Sequence, residues 1–163
     1  MRVGFGYDSH RFVKGRKLVL GGKEIPHEKG LLGHSDADVL LHAVCDAVLG
    51  AIGREDIGSH FPDKDPAYRG ISSLHLLIKV RDAADKKNYH VNNVDSTVVL
   101  ERPELREYIH EMAMNIAGAL GIKVGRVNIK ATTNEGMGFV GRGEGIAAFA
   151  VVTVSEKEAG EDS

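Results

Sequence analysis

Apolar and polar positions change period several times along the chain, and each change predicts an element. Val3, Phe5 and Tyr7 alternate with small or charged neighbours, the period of a strand. Residues 17–20 run into Gly21-Gly22 and out again over 23–26, which predicts a loop and hairpin. Residues 37–52 carry near-continuous apolar positions and predict a helix, with Ser35 or Asp36 as its N-cap and Gly53 as its stop. A second helix is expected over 72–87 and a buried strand over 89–100, where Val91, Val94, Val98 and Val99 suit a sheet. Pro103 sits where a third helix can open, with Leu105, Ile109, Met112, Ile116 and Leu120 as its stripe and Gly121 as its end. Strands over 124–131 and 145–154 complete the set. This order predicts one α+β domain over residues 1–155, a mixed sheet covered by helices, followed by an acidic tail over 156–163 that frays.

Polar residues that interrupt these patterns carry the candidate chemistry. In a strand, Asp8 and His10 point the same way and Ser9 the opposite way, so one carboxylate and one imidazole can share a metal. His42, inside the first helix, completes a three-ligand shell with one coordination position free if that helix crosses the strand end. Asp38, His42 and Asp46 form one polar stripe, from which Asp46 orients the imidazole or faces solvent. Residues 56–70 form a long Asp/Pro/Gly-rich loop, the usual form of a binding loop. Between the last two strands, Thr132, Thr133, Asn134 and Glu135 offer oxygen ligands for phosphate or a hard cation, although the same residues also suit an ordinary turn.

Composition narrows the function classes. The net charge of −2 is not the basic footprint of a nucleic-acid binder. No apolar run approaches a membrane span and no charged-apolar-small leader opens the chain, so a cytoplasmic protein is expected. Cys45 is the only cysteine and lies in an apolar helical run, which suits a small core residue better than a nucleophile. Twenty glycines, well above average usage, cluster in loops where backbone can approach a ligand.

Asp8-Ser9-His10, the run 33–38 with His42, Asp56-Ile57-Gly58, Phe61-Pro62-Asp63-Lys64-Asp65 and the segment 132–145 together closely resemble the 2-C-methyl-D-erythritol 2,4-cyclodiphosphate synthase family, in order and over nearly the whole chain. The resemblance implies a homotrimer with active sites between subunits. It implies conversion of 4-diphosphocytidyl-2-C-methyl-D-erythritol 2-phosphate into the cyclic diphosphate and CMP, a step of the non-mevalonate isoprenoid route. By the same resemblance Asp8, His10 and His42 hold zinc, and Glu135 holds magnesium or manganese. His34 and Thr133 stabilise the transition state and Ser35 holds phosphate. Asp56, Ile57, Gly58, Phe61, Pro62, Asp63, Lys64 and Asp65 line the methylerythritol pocket. From the adjacent subunit come Thr132, Thr133, Asn134 and Glu135, together with the cytidine loop Leu100, Glu101, Arg102, Pro103, Glu104, Leu105 and Arg106.

The chain departs from the family in that loop, where an Ala-x-x-Pro-Lys pattern is replaced by Leu100-Glu101-Arg102-Pro103-Glu104, an anion in place of a cation. Arg102 or Arg106 is placed to compensate. Phe139, Arg142 and Glu144 resemble residues around a cavity on the trimer axis that suits an isoprenoid diphosphate; the other reading pairs Arg142 with Glu144 across neighbouring subunits. Rival functions are a zinc phosphohydrolase and a trimeric metal- or ligand-binding protein without turnover.

Overall fold

The computed structural model describes residues 1–158. In chain order the elements are β1 (Arg2–Lys14), β2 (Leu18–Leu20), β3 (Lys23–Ile25), β4 (Lys29–Leu31), α1 (Val39–Ala51), α2 (Ile57–His60), α3 (Ser73–Lys86), β5 (Tyr89–Val99), α4 (Ile109–Leu120), β6 (Val127–Thr132), α5 (Gly138–Gly141) and β7 (Gly145–Glu156). The main sheet has the order β4-β1-β7-β5-β6; only the β5–β6 pair is parallel, so the sheet is mixed as expected. β2 and β3 form the separate hairpin around Gly21-Gly22.

Helices α1, α3 and α4 pack side by side on one face of the sheet. Ten residues of α1 are buried, which is why it is apolar nearly all round: the sheet lies beneath it and neighbouring elements flank it. Among the described residues no element covers the sheet's opposite face, so the expected cover of helices is one-sided. Val3, Phe5 and Tyr7 of β1 point there and are 66%, 62% and 45% exposed. Phe149 and Val151 of β7 join them, with Tyr7 paired to Phe149 at a ring separation of 5.1 Å. The inward face of β1 is instead Gly4, Gly6, Asp8 and His10.

Those two glycines let α1 lie directly on β1. A Cβ at Gly4 would sit 1.8 Å from the carbonyl oxygen of Ala47, and one at Gly6 would sit 1.9 Å from that of Ala43. The small residues facing each other draw the two backbones together, and the next residues along the strand, Asp8 and His10, then meet the next turn of the helix, which carries His42.

Several boundaries differ from expectation for physical reasons. α1 starts at Val39 with Asp38 as its N-cap, because the Asp38 carboxylate accepts the Leu41 N–H as well as those of Gly21 and Gly22. α4 starts at Ile109 rather than beside Pro103, since Leu105 turns into the core and residues 100–106 form a loop. β4 is three residues long, too short for a periodic signal. Glu156 belongs to β7, opposite Tyr89, and Lys157 donates its N–H to the Asn88 carbonyl, so the tail starts later than expected; positions 159–163 lie outside the described residues. No helix among the described residues is long and apolar enough to cross a membrane.

The glycine contact gives a direct test. Gly6→Ala is expected to cost about 3 kcal/mol in urea unfolding, because a backbone carbonyl cannot yield. Gly118→Ala, on α4 with no neighbour within 4 Å of the added carbon, is expected to stabilise by about 0.5–1 kcal/mol.

Candidate active site

Asp8 and His10 project from β1 and His42 from α1, and the three donors form a near-equilateral triangle. Asp8 Oδ2 lies 2.9 Å from His10 Nε2 and 3.1 Å from His42 Nδ1, and the two nitrogens are 3.2 Å apart. Two ligands of a tetrahedral zinc ion, with bonds near 2.0–2.1 Å, stand about 3.3 Å apart, so this donor set fits such an ion. Among the described residues this is the one cluster of three such side chains. The outer nitrogens are also engaged. His10 Nδ1 donates to the Leu32 carbonyl at 2.7 Å, which leaves Nε2 with its lone pair toward the site. His42 Nε2 lies 3.1 Å from Ser35 Oγ and 3.0 Å from Ser73 Oγ.

Burial alone would raise the Asp8 carboxyl, but hydrogen bonds from His10 and His42, with their charge, hold it at about 2. Burial opposes a proton on His10; the hydrogen bond and charge of Asp8 outweigh it and raise His10 above its ordinary 6.5. Asp8 and His10 are therefore a proton-sharing pair whose proton a cation must displace on entry.

The triad opens into a cavity of about 200 Å³ lined by His34, Ser35, Ile57, Gly58, Phe61 and Asp63, all expected site residues, together with Tyr68, Ile71 and Leu76, which were not. The loop expected over 56–70 is ordered by two short helical turns, α2 and a 3-10 turn at Pro66–Tyr68. Asp56 caps α2 through Ser59, whose N–H and hydroxyl both bind Oδ1; these bonds hold the carboxyl below its ordinary range and leave Oδ2 available. Asp65 caps the second turn, so its side chain is committed, while its carbonyl accepts from His34 Nε2 at 3.2 Å. The Pro62 carbonyl accepts the Asp65 N–H in a separate turn just before it, and Lys64 is exposed at its tip.

Asp46, expected to orient His42 or to face solvent, instead accepts the Ile57 N–H at 2.7 Å and ties the 56–70 loop to α1. The outer nitrogen of His42, Nε2, instead lies against the two serine hydroxyls. His60, the last residue of α2 within this loop, donates to the Arg54 carbonyl and does not line the cavity. Arg16 was missed: its guanidinium donates to the Gly33 and Ser35 carbonyls at 2.7 and 2.8 Å and braces the strand-to-helix turn. Within that turn Ala37 is held at φ 58°, a left-handed conformation unfavourable for alanine.

The remaining expected residues lie elsewhere in the chain. Leu100, Glu101, Pro103, Glu104, Leu105, Arg106, Thr132 and Thr133 line a second cavity of about 230 Å³. Leu100 and Leu105 are buried in the core, so their contribution to it is largely backbone. Glu101 does not face that cavity freely: its carboxylate accepts the N–H groups of Asn134 and Gly136, holding the loop that carries exposed Glu135 at φ 52°. Arg102 is exposed and outside the lining, which leaves Arg106 as the cation beside Glu104. Asp8, Ala148, Val98 and Ala131 stand in one row across the sheet. Three strand spacings of about 4.8 Å put the triad roughly 14 Å from the start of the Thr132 segment. One chain therefore does not close the two halves into one site. Arg142 and Glu144 are placed by α5 and its exit, and they pair within the chain at 2.9 Å.

Residues 1–155 match the model of the YgbB family. The chain belongs to the YgbB family. A 2-C-methyl-D-erythritol 2,4-cyclodiphosphate synthase from Syntrophus aciditrophicus is 62% identical over 158 residues, covering 97% of this chain and 99% of the relative. One of the same name from Alkaliphilus metalliredigens is 63% identical over 156 residues, covering 96% and 98%. Among solved structures, the Plasmodium falciparum IspF CDP complex superposes with a TM-score of 0.84 at 32% identity, covering 96% of this chain and 97% of that one. These YgbB relatives span the fold from β1 through β7.

His42→Ala is expected to abolish zinc binding, read by chelator competition. Zinc affinity of the unaltered protein should fall as pH drops through the raised His10 range. Without metal the sign differs: the His10 contribution is present below 6.5 and lost as pH rises through its raised value, and that of Asp8 is present above 3.8 and lost toward 2. Metal-free urea midpoints should therefore be highest between about 4 and 6.5.

Proposed function

We propose that this chain is a CMP-forming cyclodiphosphate synthase of the non-mevalonate isoprenoid route. It converts 4-diphosphocytidyl-2-C-methyl-D-erythritol 2-phosphate into 2-C-methyl-D-erythritol 2,4-cyclodiphosphate, and it works as a homotrimer. The observation that carries the proposal is the open Asp8-His10-His42 triangle at the mouth of a cavity lined by His34, Ser35 and the 57–63 loop. Relatives bearing that activity's name match this chain over nearly its whole length.

The reaction is internal to one molecule. An oxygen of the 2-phosphate forms a bond to the β-phosphorus of the cytidine diphosphate, and the bond from that phosphorus to the CMP oxygen breaks. The nucleophile is already ionised, so positioning and charge neutralisation dominate and no protein base is needed. Zinc on Asp8, His10 and His42, with magnesium or manganese on Glu135, supplies positive charge against the phosphates when bound. His34, with its ring held by the Asp65 carbonyl, and Ser35, with its backbone braced by Arg16, donate to phosphate oxygens. Asp56 Oδ2 accepts from a sugar hydroxyl, and Thr133 donates from the neighbouring subunit. The cytidine base lies along residues 100–106, where Arg106 takes over the charge that Glu104 removes.

Two features support the trimer. The bare apolar face of β1 and β7 is the kind of patch a soluble chain covers with a partner. The triad and the Thr132 segment are also separated within one chain, so a neighbour's segment completes the site. Phe139 and Arg142 then stand near the axis. The pairing of Arg142 with Glu144 inside one chain leaves Phe139 and part of an exposed guanidinium for an isoprenoid diphosphate.

Phosphorus NMR of the protein with this substrate, zinc and magnesium is expected to show equal amounts of CMP and cyclic diphosphate. Inorganic phosphate would make it a hydrolase, and unchanged substrate a binder. His42→Ala and Glu135→Ala should each be inactive alone. Trimers reassembled from an equal mixture should regain about a quarter of wild-type activity, since one site in four joins two intact halves. Arg106→Ala should weaken CDP binding about tenfold in calorimetric titration, the scale of one charge-assisted hydrogen bond.

A further inference from the structure

The triad explains one nitrogen of His42; its other nitrogen opens onto a chain of groups running away from the cavity. Ser73, the first residue of α3, is fully buried. Its hydroxyl donates to Asp36 Oδ1, and its N–H donates to Asp36 Oδ2 at 3.0 Å. Asp36 Oδ1 also accepts the Asp38 N–H at 3.1 Å, so the carboxylate is fixed by three donors from two elements. A hydroxyl has one proton. Because that of Ser73 goes to the carboxylate, only a lone pair of Oγ is left to face His42 Nε2 at 3.0 Å. Ser73 is thereby an acceptor that demands a proton on Nε2, and a neutral imidazole protonated there presents its Nδ1 lone pair to Asp8 and His10. Ser35 Oγ lies at a similar distance from Nε2 but keeps its own proton, since it accepts the Ala37 N–H and donates to no carboxylate. Its hydroxyl is free to turn either way, so it does not set the tautomer.

We infer that Asp36 and Ser73 are positioning residues that act through His42: the Asp36 carboxylate fixes the Ser73 hydroxyl, and that hydroxyl selects the His42 tautomer able to bind the metal. This rests on the metal-centre assignment above and adds to it a second layer reaching from α1 to α3. It differs from the usual direct carboxylate-to-histidine contact in that a hydroxyl is interposed and passes on the polarity. Direction is what matters: a donor in place of Asp36 would release the serine proton toward Nε2 and favour the unproductive tautomer.

The test is zinc affinity by chelator competition on Ser73→Ala, Asp36→Asn and Ser73→Thr, with melting of each metal-free variant as the measure of folding. Ser73→Ala is expected to weaken zinc binding 10- to 100-fold, the usual cost of losing an outer partner. Asp36→Asn is expected to lose at least as much, although it is nearly isosteric, and Ser73→Thr, which keeps the hydroxyl, should retain more affinity than Ser73→Ala. In the zinc-loaded protein a downfield His42 Nε2–H proton resonance should be present and should move upfield in Ser73→Ala. Wild-type zinc affinity in both Ser73→Ala and Asp36→Asn would overturn the inference, as would affinity losses that merely follow the fall in melting temperature. Wild-type protein that takes up no zinc would overturn the metal centre itself, a failure separate from the other two.

Discussion

The metal triad exists because a helix backbone touches a strand backbone. Gly4 and Gly6 remove every side-chain atom between β1 and α1, and the carbonyls of Ala43 and Ala47 occupy the space where Cβ atoms would be. Helices that pack on ordinary sheet residues stand farther off, so a ligand on such a helix would not reach a strand side chain at 3 Å. Everything at the site inherits this separation: the edges of the triangle, the depth of the cavity beneath residues 57–63, and the reach of Asp46 to the Ile57 N–H. The close contact also helps explain why α1 carries alanine where it meets β1 and larger residues elsewhere.

Much of the fold was legible in the sequence because it follows local periodicity. The helices at α1, α3 and α4, the hairpin around Gly21-Gly22 and the long β5 all declare themselves by spacing and by glycine stops. The facing of β1 did not. Its large apolar residues point outward and its glycines inward, because the face that usually seeks a core here meets a neighbouring helix too close for any side chain, and the aromatic face is left bare. The triad was readable from the strand alternation of Asp8 and His10 plus one helical histidine. What lay beyond it was not: Ser73 and Arg16 carry no motif, and they act on His42 and on the 33–35 turn only because α3 and the residue after a glycine turn are brought there by the tertiary fold. Asp46 shows the complementary error, since helical spacing placed it correctly on the His42 face but could not say that a loop amide would claim it.

The two cavities divide the chemistry according to stiffness. The metal half stands on β1 and α1, whose side chains are fixed by packing. The second cavity, proposed for the nucleotide, stands on loops whose geometry depends on a few polar ties, such as Glu101 to the Asn134 and Gly136 amides. The replacement at Glu104 falls in that looser half, on an exposed position where a change of charge disturbs no packing. The unusual left-handed backbone at Ala37 and Glu135 follows the same division, one inside a braced turn and the other in an exposed loop.

β1 also behaves like a reading frame. Its even positions from Gly4 to His10 belong to the helix and the metal, and its odd positions from Val3 to Tyr7 belong to the bare aromatic face. Adding or removing one residue between Gly6 and Asp8 would put the glycines and the ligands on opposite faces, either sending the ligands outward or driving an aromatic ring against the carbonyls of α1. Substitutions can be tested on this strand one at a time, but its length between Gly4 and His10 is not free to vary by even a single residue.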